Sequence, residues 1–174
     1  PMPAFPPSLY VEGLTAHVAS GRRNEYAMTA GLKTIAYTES IAAWIEARSA
    51  GADEAPFLDT DGHCSQATPS NLFAVVDGVL VTPPVSCAAL PGVTRAAVLD
   101  LAAGQAMPAE ERAFGLEDLL RADEAFLTSS LRGIAPLVRV GGQQLGDGTP
   151  GDVTRAMALA YAALVAQECA GTVA

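Results

Sequence analysis

Lys33 is the only lysine in the chain, and it lies between apolar neighbours directly before an amphipathic helical pattern. A lysine held in apolar surroundings loses water from its ammonium group, which lowers its pKa. The neutral amine that results is a nucleophile toward aldehydes. Tyr37 follows four residues later, a spacing that brings two side chains to the same side of a helical turn. Lys33 is therefore the first candidate for a catalytic residue.

A second candidate is an anion site at the start of a predicted helix. The pattern predicts a helix from about residue 90 to residue 104, with Thr94 in its first turn. The first amides of a helix have no acceptor within it, and the helix dipole favours negative charge there. An ordinary capped helix is the alternative interpretation.

The elements that must position these residues alternate between strands and helices, as in an α/β (α+β) domain. Asp77-Gly78 between two apolar runs indicates a tight hairpin, since both residues tolerate the positive φ angles of a type I′ turn. The predicted strands cover residues 8–11, 14–18, 54–59, 72–76, 79–82, 125–128 and 134–140, and the predicted helices cover residues 37–50, 90–104, 116–121 and 152–167.

The helix over residues 37–50 carries apolar residues at helical spacing, and Gly51 follows as a natural end signal. We expect this apolar face to pack on the sheet and Trp44 to belong to the core. The residues of the face are Tyr37, Ile41, Trp44 and Ile45.

Composition limits the classes of function. The 174 residues carry a formal net charge of −9 and no basic patch, which argues against nucleic acid as a partner. No apolar run is long enough to span a bilayer, so no membrane association is expected. Half of the residues are hydrophobic, which favours a filled core and a surface covered by a partner, either a second copy or a companion domain.

The three cysteines, Cys64, Cys87 and Cys169, are odd in number and lack the spacing of a known metal-binding motif. They are interpreted as reduced, small buried hydrophobes, which favours a cytoplasmic protein. No metal site is predicted.

The ordered motifs of the chain resemble those of the class IV aminotransferase family, the pyridoxal phosphate (PLP) enzymes of fold type IV. That family includes branched-chain aminotransferases, D-amino acid aminotransferases and aminodeoxychorismate lyases. The resemblance covers roughly residues 22–161. The sequences around Lys33 and Ser129-Ser130 are more similar to the lyase-like branch of the family. The motifs are Leu32-Lys33-Thr34, Leu58-Asp59-Thr60-Asp61-Gly62, Ser70-Asn71-Leu72-Phe73, Asp77-Gly78, Thr82-Pro83-Pro84, Leu90-Pro91-Gly92-Val93-Thr94-Arg95 and Ala122-Asp123-Glu124-Ala125-Phe126-Leu127-Thr128.

The resemblance implies a fold and an organisation. Residues 22–174 would form the large PLP-binding domain, a mixed sheet or pseudo-barrel with flanking helices. Residues 1–21, with a proline-rich start over residues 1–7, would be the interdomain linker and first strands. The small N-terminal domain of the family is expected to be missing. The family also implies a homodimer, with a site near the subunit interface.

The resemblance also implies roles for individual residues. Lys33 would form a Schiff base with the cofactor and later move the Cα proton of an amino acid substrate as a general base, with Tyr37 as a nearby aromatic residue. The cofactor phosphate would be held by the residues at the predicted helix start and by two serines, namely Gly92, Val93, Thr94, Ser129 and Ser130.

Gln66 departs from the family pattern, because the family usually has glutamate there. That glutamate keeps the pyridine nitrogen protonated, whereas an amide carries no charge. A hydrogen bond to a charged group is stronger than a neutral one by about 1–1.5 kcal/mol, so the change costs about tenfold in the electron-accepting step. Two alternatives follow: an aminotransferase or lyase-like enzyme, or a non-catalytic descendant that keeps the fold and perhaps the cofactor.

Overall fold

The computed structural model describes residues 5–170, which contain nine strands and five α-helices. The predicted linker at residues 1–7 therefore lies partly outside the described residues. The strands are β1 (Leu14–Ala16), β2 (Arg22–Arg23), β3 (Leu58–Asp59), β4 (Asn71–Val76), β5 (Val79–Thr82), β6 (Ala109–Glu111), β7 (Glu124–Ser129), β8 (Gly133–Val140) and β9 (Gln143–Gln144). The helices are α1 (Ser8–Glu12), α2 (Thr38–Ser49), α3 (Val93–Gly104), α4 (Leu116–Arg121) and α5 (Asp152–Ala170).

Seven of the strands form one mixed sheet in the order β1-β8-β7-β4-β5-β6, with β9 added at β8. The pairs β1–β8 and β5–β6 are parallel, and the central pairs are antiparallel. β2 and β3 form a separate parallel pair. The mixed sheet with helices confirms the α/β (α+β) class predicted from the sequence.

The sequences of the central strands are continuous apolar runs because both faces of the sheet are covered. In β4, Leu72 and Ala74 belong to one buried cluster, and Phe73 and Val75 belong to another on the opposite face. Phe73 stacks on Phe126 of β7 with ring centroids 5.0 Å apart. α3 and α5 cover this second face through Val98 and Met157.

The hairpin between β4 and β5 is confirmed. Asp77 and Gly78 have φ angles of 52° and 77°, and Val76 pairs with Val79 across the turn. Such positive angles at both central residues define the turn that matches the twist of the flanking strands.

Two of the predicted strands are wrong, because one segment is helical and the other forms a strand over only part of its length. Residues 8–11 lie in helix α1, because Pro7 has a helical φ of −55° and Gly13 ends the helix with φ 81° and a hydrogen bond to Leu9. Of residues 54–59, only Leu58–Asp59 form a strand, and Glu54 makes an isolated bridge with Ala16. Pro56 has no N–H to give to a sheet, so pairing over this segment is interrupted.

The orientation of α2 is the opposite of the prediction. Its buried residues are Ser40, Ala43 and Ala47, which pack against a small cluster that includes Ala19 and Phe57. Trp44 is 45% exposed and is not part of the core. Small residues face inward, and the large apolar face turns to solvent with Tyr37, Ile41, Trp44 and Ile45.

The other helices agree closely with the prediction. α3 begins at Val93, α4 covers the predicted residues, and α5 continues to Ala170. Within residues 5–170, no helix combines the length and the apolarity that crossing a membrane would require.

Candidate functional site

The start of α3 presents a helix end without a side-chain cap. Gly92 is the N-cap residue, with extended backbone (φ −69°, ψ 139°), and among the described residues no side-chain hydrogen bond caps this helix start. Val93 is exposed, whereas Thr94 is buried. The hydroxyls of Thr94 and Tyr161 lie 3.2 Å apart, which joins α3 to α5. The first amides of a helix have no acceptor within it, so a helix end of this kind suits an anion, and the anion site at this position stays a prediction.

Side chains from the neighbouring loop and strand hold the segment that leads into α3. The Leu90 amide donates to Oε1 of Gln66 at 2.6 Å, and Nδ2 of Asn71 donates to the Leu90 carbonyl at 2.8 Å. Oδ1 of Asn71 occupies the place where a Cβ of residue 92 would lie. Only glycine leaves this space, so Gly92 is required by packing. We call Gln66, Asn71, Leu90 and Gly92 the Gly92 cluster.

The end of β7 reaches the same edge of the sheet, because Thr128 pairs with Asn71 in the antiparallel register. The Thr128 hydroxyl is buried and has no hydrogen-bond partner within the described residues. Ser129 accepts a hydrogen bond from the Arg132 amide at 3.2 Å, and Ser130 is exposed in the turn beyond it. Unpaired buried hydroxyls are uncommon in proteins. Thr128 is therefore a donor that sequence analysis missed.

α5 closes this edge from the other side. The ring of Tyr161 lies 3.5 Å from the position that a Cβ on Gly133 would occupy, and Gly133 pairs with Ser129. Tyr161 thus contacts both the start of α3 and the β7–β8 turn. Tyr161 is not among the site residues predicted from the sequence, since its contacts depend on two helices meeting at long range.

The turn between β7 and β8 is fixed by a buried ion pair. Glu54 is 0% exposed, and its carboxylate contacts Nη1 of Arg132. The second oxygen of Glu54 accepts a 2.5 Å hydrogen bond from Thr68. A buried carboxylate is tolerated only with such partners. Glu54 and Arg132 were also missed by sequence analysis.

Lys33 and Tyr37 are brought together as their spacing predicts. Nζ of Lys33 donates to the Tyr37 hydroxyl at 2.7 Å and lies 5.4 Å from the centre of its ring. The expected apolar enclosure is not present, because Lys33 is exposed and Ile35 beside it is 99% exposed. We call residues 26–37 the lysine segment. Within residues 5–170 no hydrogen bond connects Lys33 to the Gly92 cluster or to Thr94.

The donors at the sheet edge fit a phosphorylated cofactor. The uncapped amides of α3, the Thr94 hydroxyl, the serines after β7 and the unpaired Thr128 hydroxyl together offer hydrogen bonds that suit a phosphate group. The pairing of Lys33 with Tyr37 supplies an amine next to a hydroxyl that orients it. PLP carries both a phosphate and an aldehyde, so the residues present match its two ends.

Comparison with known proteins identifies the family. The profile of the family "Amino-transferase class IV" matches residues 2–140. A putative branched-chain-amino-acid aminotransferase of Methanocaldococcus jannaschii is 36% identical over 152 residues, covering 87% of this chain and 53% of that protein. The branched-chain-amino-acid aminotransferase of Escherichia coli K12 is 39% identical over 132 residues, covering 76% of this chain and 43% of that protein.

Solved structures agree. The crystal structure of the Escherichia coli branched-chain amino acid aminotransferase superposes with a TM-score of 0.88 at 35% identity, covering 91% of this chain and 53% of that one. The T.th. branched-chain amino acid aminotransferase complexed with N-(5'-phosphopyridoxyl)-L-glutamate gives a TM-score of 0.84 at 29% identity, covering 88% and 52%. The fold is therefore that of the fold type IV enzymes.

This chain belongs to the class IV aminotransferase family. It spans about half the length of the relatives it matches.

Proposed function

We propose that this chain carries the cofactor site of a PLP-dependent aminotransferase that acts at the Cα of an amino acid. The observation that carries the proposal is the uncapped start of α3 beside the β7 end, in a chain whose only lysine is hydrogen-bonded to Tyr37. Family membership supports it, and the related proteins described above are named aminotransferases. An aminotransferase is therefore favoured over a lyase and over a non-catalytic descendant.

Each end of the cofactor would have its own residues. The amides of Val93 and Thr94 and the Thr94 hydroxyl would bind the phosphate, with Ser129 and Ser130 as further donors. Gly92 would give the phosphate a close approach to the helix end, since its own amide donates to the Leu90 carbonyl at 2.8 Å. Lys33 would hold the aldehyde end and move the proton at Cα, and the Tyr37 hydroxyl at 2.7 Å would orient its amine. Bound PLP supplies a ring that accepts electron density from the substrate Cα.

Gln66 is proposed to face the pyridine nitrogen. Its Oε1 already accepts from the Leu90 amide, which fixes the side chain in a single orientation. A neutral amide contributes a weaker hydrogen bond to the ring than a carboxylate would. The enzyme would therefore work with a less strongly protonated ring than its relatives with glutamate.

The substrate class is proposed from the related proteins, whose names specify branched-chain amino acids. Leucine, isoleucine and valine are the first substrates to test. Glutamate is the natural second substrate, because the T.th. aminotransferase was solved as a complex with a phosphopyridoxyl derivative of L-glutamate.

A homodimer is proposed from the exposed apolar residues of α2 and the lysine segment. We call these residues the apolar surface: Tyr26, Met28, Leu32, Ile35, Tyr37, Ile41, Trp44 and Ile45. Large exposed apolar patches mark interaction sites, and a covering subunit would also remove water from around Lys33. A cytoplasmic location is proposed from the three free cysteines.

Borohydride trapping tests the cofactor site. Purified protein mixed with PLP and reduced with borohydride should carry one phosphopyridoxyl group on the peptide that contains Lys33. Because Lys33 is the sole lysine, mass spectrometry separates this product from reaction at the terminal amine. Lys33→Arg is the matched control and should carry no label. Label at the terminus alone, or equal label in Lys33→Arg, would contradict the proposal.

Amino acid half-reactions then test the activity. Leucine, isoleucine or valine should convert the bound cofactor to its amine form and release the corresponding 2-oxo acid. Trapping at Lys33 without any half-reaction would favour the non-catalytic alternative.

A further inference from the structure

Three side chains with different ligand atoms meet outside the proposed cofactor site. Asp59, His63 and Cys87 place a carboxylate oxygen, an imidazole nitrogen and a thiol sulfur all within 4.8 Å of one another. Nδ1 of His63 lies 3.4 Å from Oδ2 of Asp59. Asp59 and Cys87 are buried, whereas the His63 side chain is 41% exposed. Two of the three ligand atoms therefore belong to buried residues, and the third belongs to a half-exposed side chain.

The local backbone orients Asp59 toward this cluster. Oδ1 of Asp59 accepts hydrogen bonds from the amides of Asp61 and His63 at 3.1 and 2.7 Å. The Asp59 amide in turn donates to the His63 carbonyl at 2.8 Å, which closes the turn on itself. Oδ1 is thus occupied by the backbone, and Oδ2 is directed at the imidazole. Both side chains are placed by a turn that forms from local sequence.

Cys87 reaches the same point from a distant part of the chain. It ends a short 3₁₀ turn, Val85–Cys87, in which its amide donates to the Pro84 carbonyl at 3.0 Å. Burial, and then a hydrogen bond to Asp59, raise the pKa of the Cys87 thiol to about 11. The thiol sulfur lies within 4.8 Å of a carboxylate oxygen of Asp59.

We infer that Asp59, His63 and Cys87 form a binding site for Zn²⁺. Tetrahedral zinc has bonds of about 2.0–2.3 Å to oxygen, nitrogen and sulfur, which place its ligand atoms about 3.3–3.8 Å apart. The 3.4 Å between His63 and Asp59 is within that range, and 4.8 Å bounds the other separations. Magnesium and calcium prefer ligand sets made of oxygen alone, so this mixed set selects against them.

Binding converts the Cys87 thiol to a thiolate. A sulfur–zinc bond forms, the S–H bond breaks, and the proton passes to solvent, so no oxidant or reductant is required. The fourth position of the metal is open beside the half-exposed His63 and would take a water molecule. An ordinary aspartate turn next to a buried thiol is the competing interpretation, and in that case the three groups bind no metal.

A metal here would join the two segments that carry the Gly92 cluster. Gln66 lies three residues after His63, and Leu90 lies three residues after Cys87. The Leu90 amide donates to Gln66, so these segments are already held at one point. Zinc would hold them at a second point. The site does not involve Lys33, so it stands or falls independently of the proposed cofactor chemistry.

Cobalt and zinc titrations of the full chain test this inference. Co²⁺ added under reducing conditions should give one equivalent of bound metal per chain, with visible d–d bands of tetrahedral cobalt and a thiolate charge-transfer band. Zn²⁺ should displace it. Cys87→Ser should abolish the charge-transfer band, and both Cys87→Ser and His63→Ala should weaken Zn²⁺ affinity by at least about tenfold.

The matched control is Cys169→Ser, because Cys169 is exposed on α5. It should leave the spectrum and the affinity unchanged. His63→Ala replaces a half-exposed side chain, so it guards against a folding defect in Cys87→Ser, and thermal melting of each variant checks this. Unaltered affinity in Cys87→Ser and His63→Ala, no binding by the wild type, or an equal loss in Cys169→Ser would overturn the inference.

Discussion

The Gly92 cluster and the lysine segment differ in how the chain supports them. In the Gly92 cluster, Gln66 and Asn71 are buried and bonded to Leu90, and no space remains for a side chain at residue 92. In the lysine segment, Lys33 donates to Tyr37, and apolar side chains of the same segment such as Leu32 and Ile35 are exposed.

The proposed site has two separate requirements, which are binding of the cofactor phosphate and activation of Lys33, and the two regions differ in how far each requirement is met. The Gly92 cluster is held in a fixed arrangement by its hydrogen bonds, so the phosphate end of the proposed site would be preorganised. Lys33 itself is exposed to solvent. In the proposed enzyme, the subunit that covers the apolar surface would remove water from around Lys33.

Gly92→Ala should disrupt the close packing of the Gly92 cluster. The new Cβ overlaps Oδ1 of Asn71, which is held by its bond to Leu90. We expect the free energy of unfolding to fall by about 1–3 kcal/mol, with weaker PLP binding. Gly104→Ala at the other end of α3 is the control, since nothing lies within 4 Å of its Cβ and alanine favours a helix by about 0.5–1 kcal/mol. Urea unfolding of both variants measures this. Equal effects would show that the close packing at Gly92 does not matter.

Gln66→Glu tests the same Gly92 cluster, because it adds a charge without changing the size of the side chain. We expect amino acid turnover to increase by about tenfold, because a carboxylate holds a protonated ring more strongly. The measurement is the rate of the leucine half-reaction. Gln105→Glu, the same change at the exposed end of α3, should leave the rate unaltered. A rate that stays the same or falls in Gln66→Glu would mean that ring protonation is not limiting.

Trp44→Gln tests the apolar surface as a contact between subunits. The side chain is 45% exposed, so the stability of the subunit should change by less than about 0.5 kcal/mol while self-association weakens. Ala43→Gln, one residue earlier and 5% exposed, should destabilise the subunit itself. Sedimentation over a range of concentrations, combined with unfolding of the dilute protein, separates the two effects. Unchanged association in Trp44→Gln would remove the apolar surface as the proposed dimer contact.

Glu46→Gln has the smallest expected effect and concerns the attachment of α2. Bonds from the amide and then the hydroxyl of Ser20 hold the pKa of Glu46 below its usual range. A carboxyl with a lowered folded pKa stabilises the fold above its unfolded pKa and loses this contribution as pH falls through the folded value. The stability difference between Glu46→Gln and wild type should therefore be present at neutral pH and vanish on acidification. Glu12→Gln at the exposed end of α1 should show no such trend.

Local sequence patterns were sufficient for much of the fold. The β4–β5 hairpin follows from Asp77-Gly78, and the start of α3 follows from the turn residues before Val93. The apolar periodicity of α2 was recognised, but it identifies a face and does not say what covers that face. Ser40, Ala43 and Ala47 face inward because Ala19 and Phe57 pack close to the helix.

Long-range contacts were beyond local patterns. Asn71 is the first residue of β4, one residue before the predicted start of that strand, and Tyr161 lies in the predicted last helix. Their contacts with Gly92 and Thr94 depend on how the sheet edge meets two helices. Asp59, His63 and Cys87 match no familiar ligand spacing, so only the fold brings them together. The sequence also led to an inaccurate description of Cys169, which is exposed, whereas Cys64 and Cys87 are buried as expected.

The ion pair between Glu54 and Arg132 has a consequence for the evolution of the family. Each charge satisfies the other away from solvent, so a change at one position leaves its partner uncompensated and is strongly unfavourable. Two substitutions in contact of this kind are not additive. We therefore expect these positions to covary among the relatives of this chain, appearing as an acid with a base or as two apolar residues, and seldom as a mixed combination.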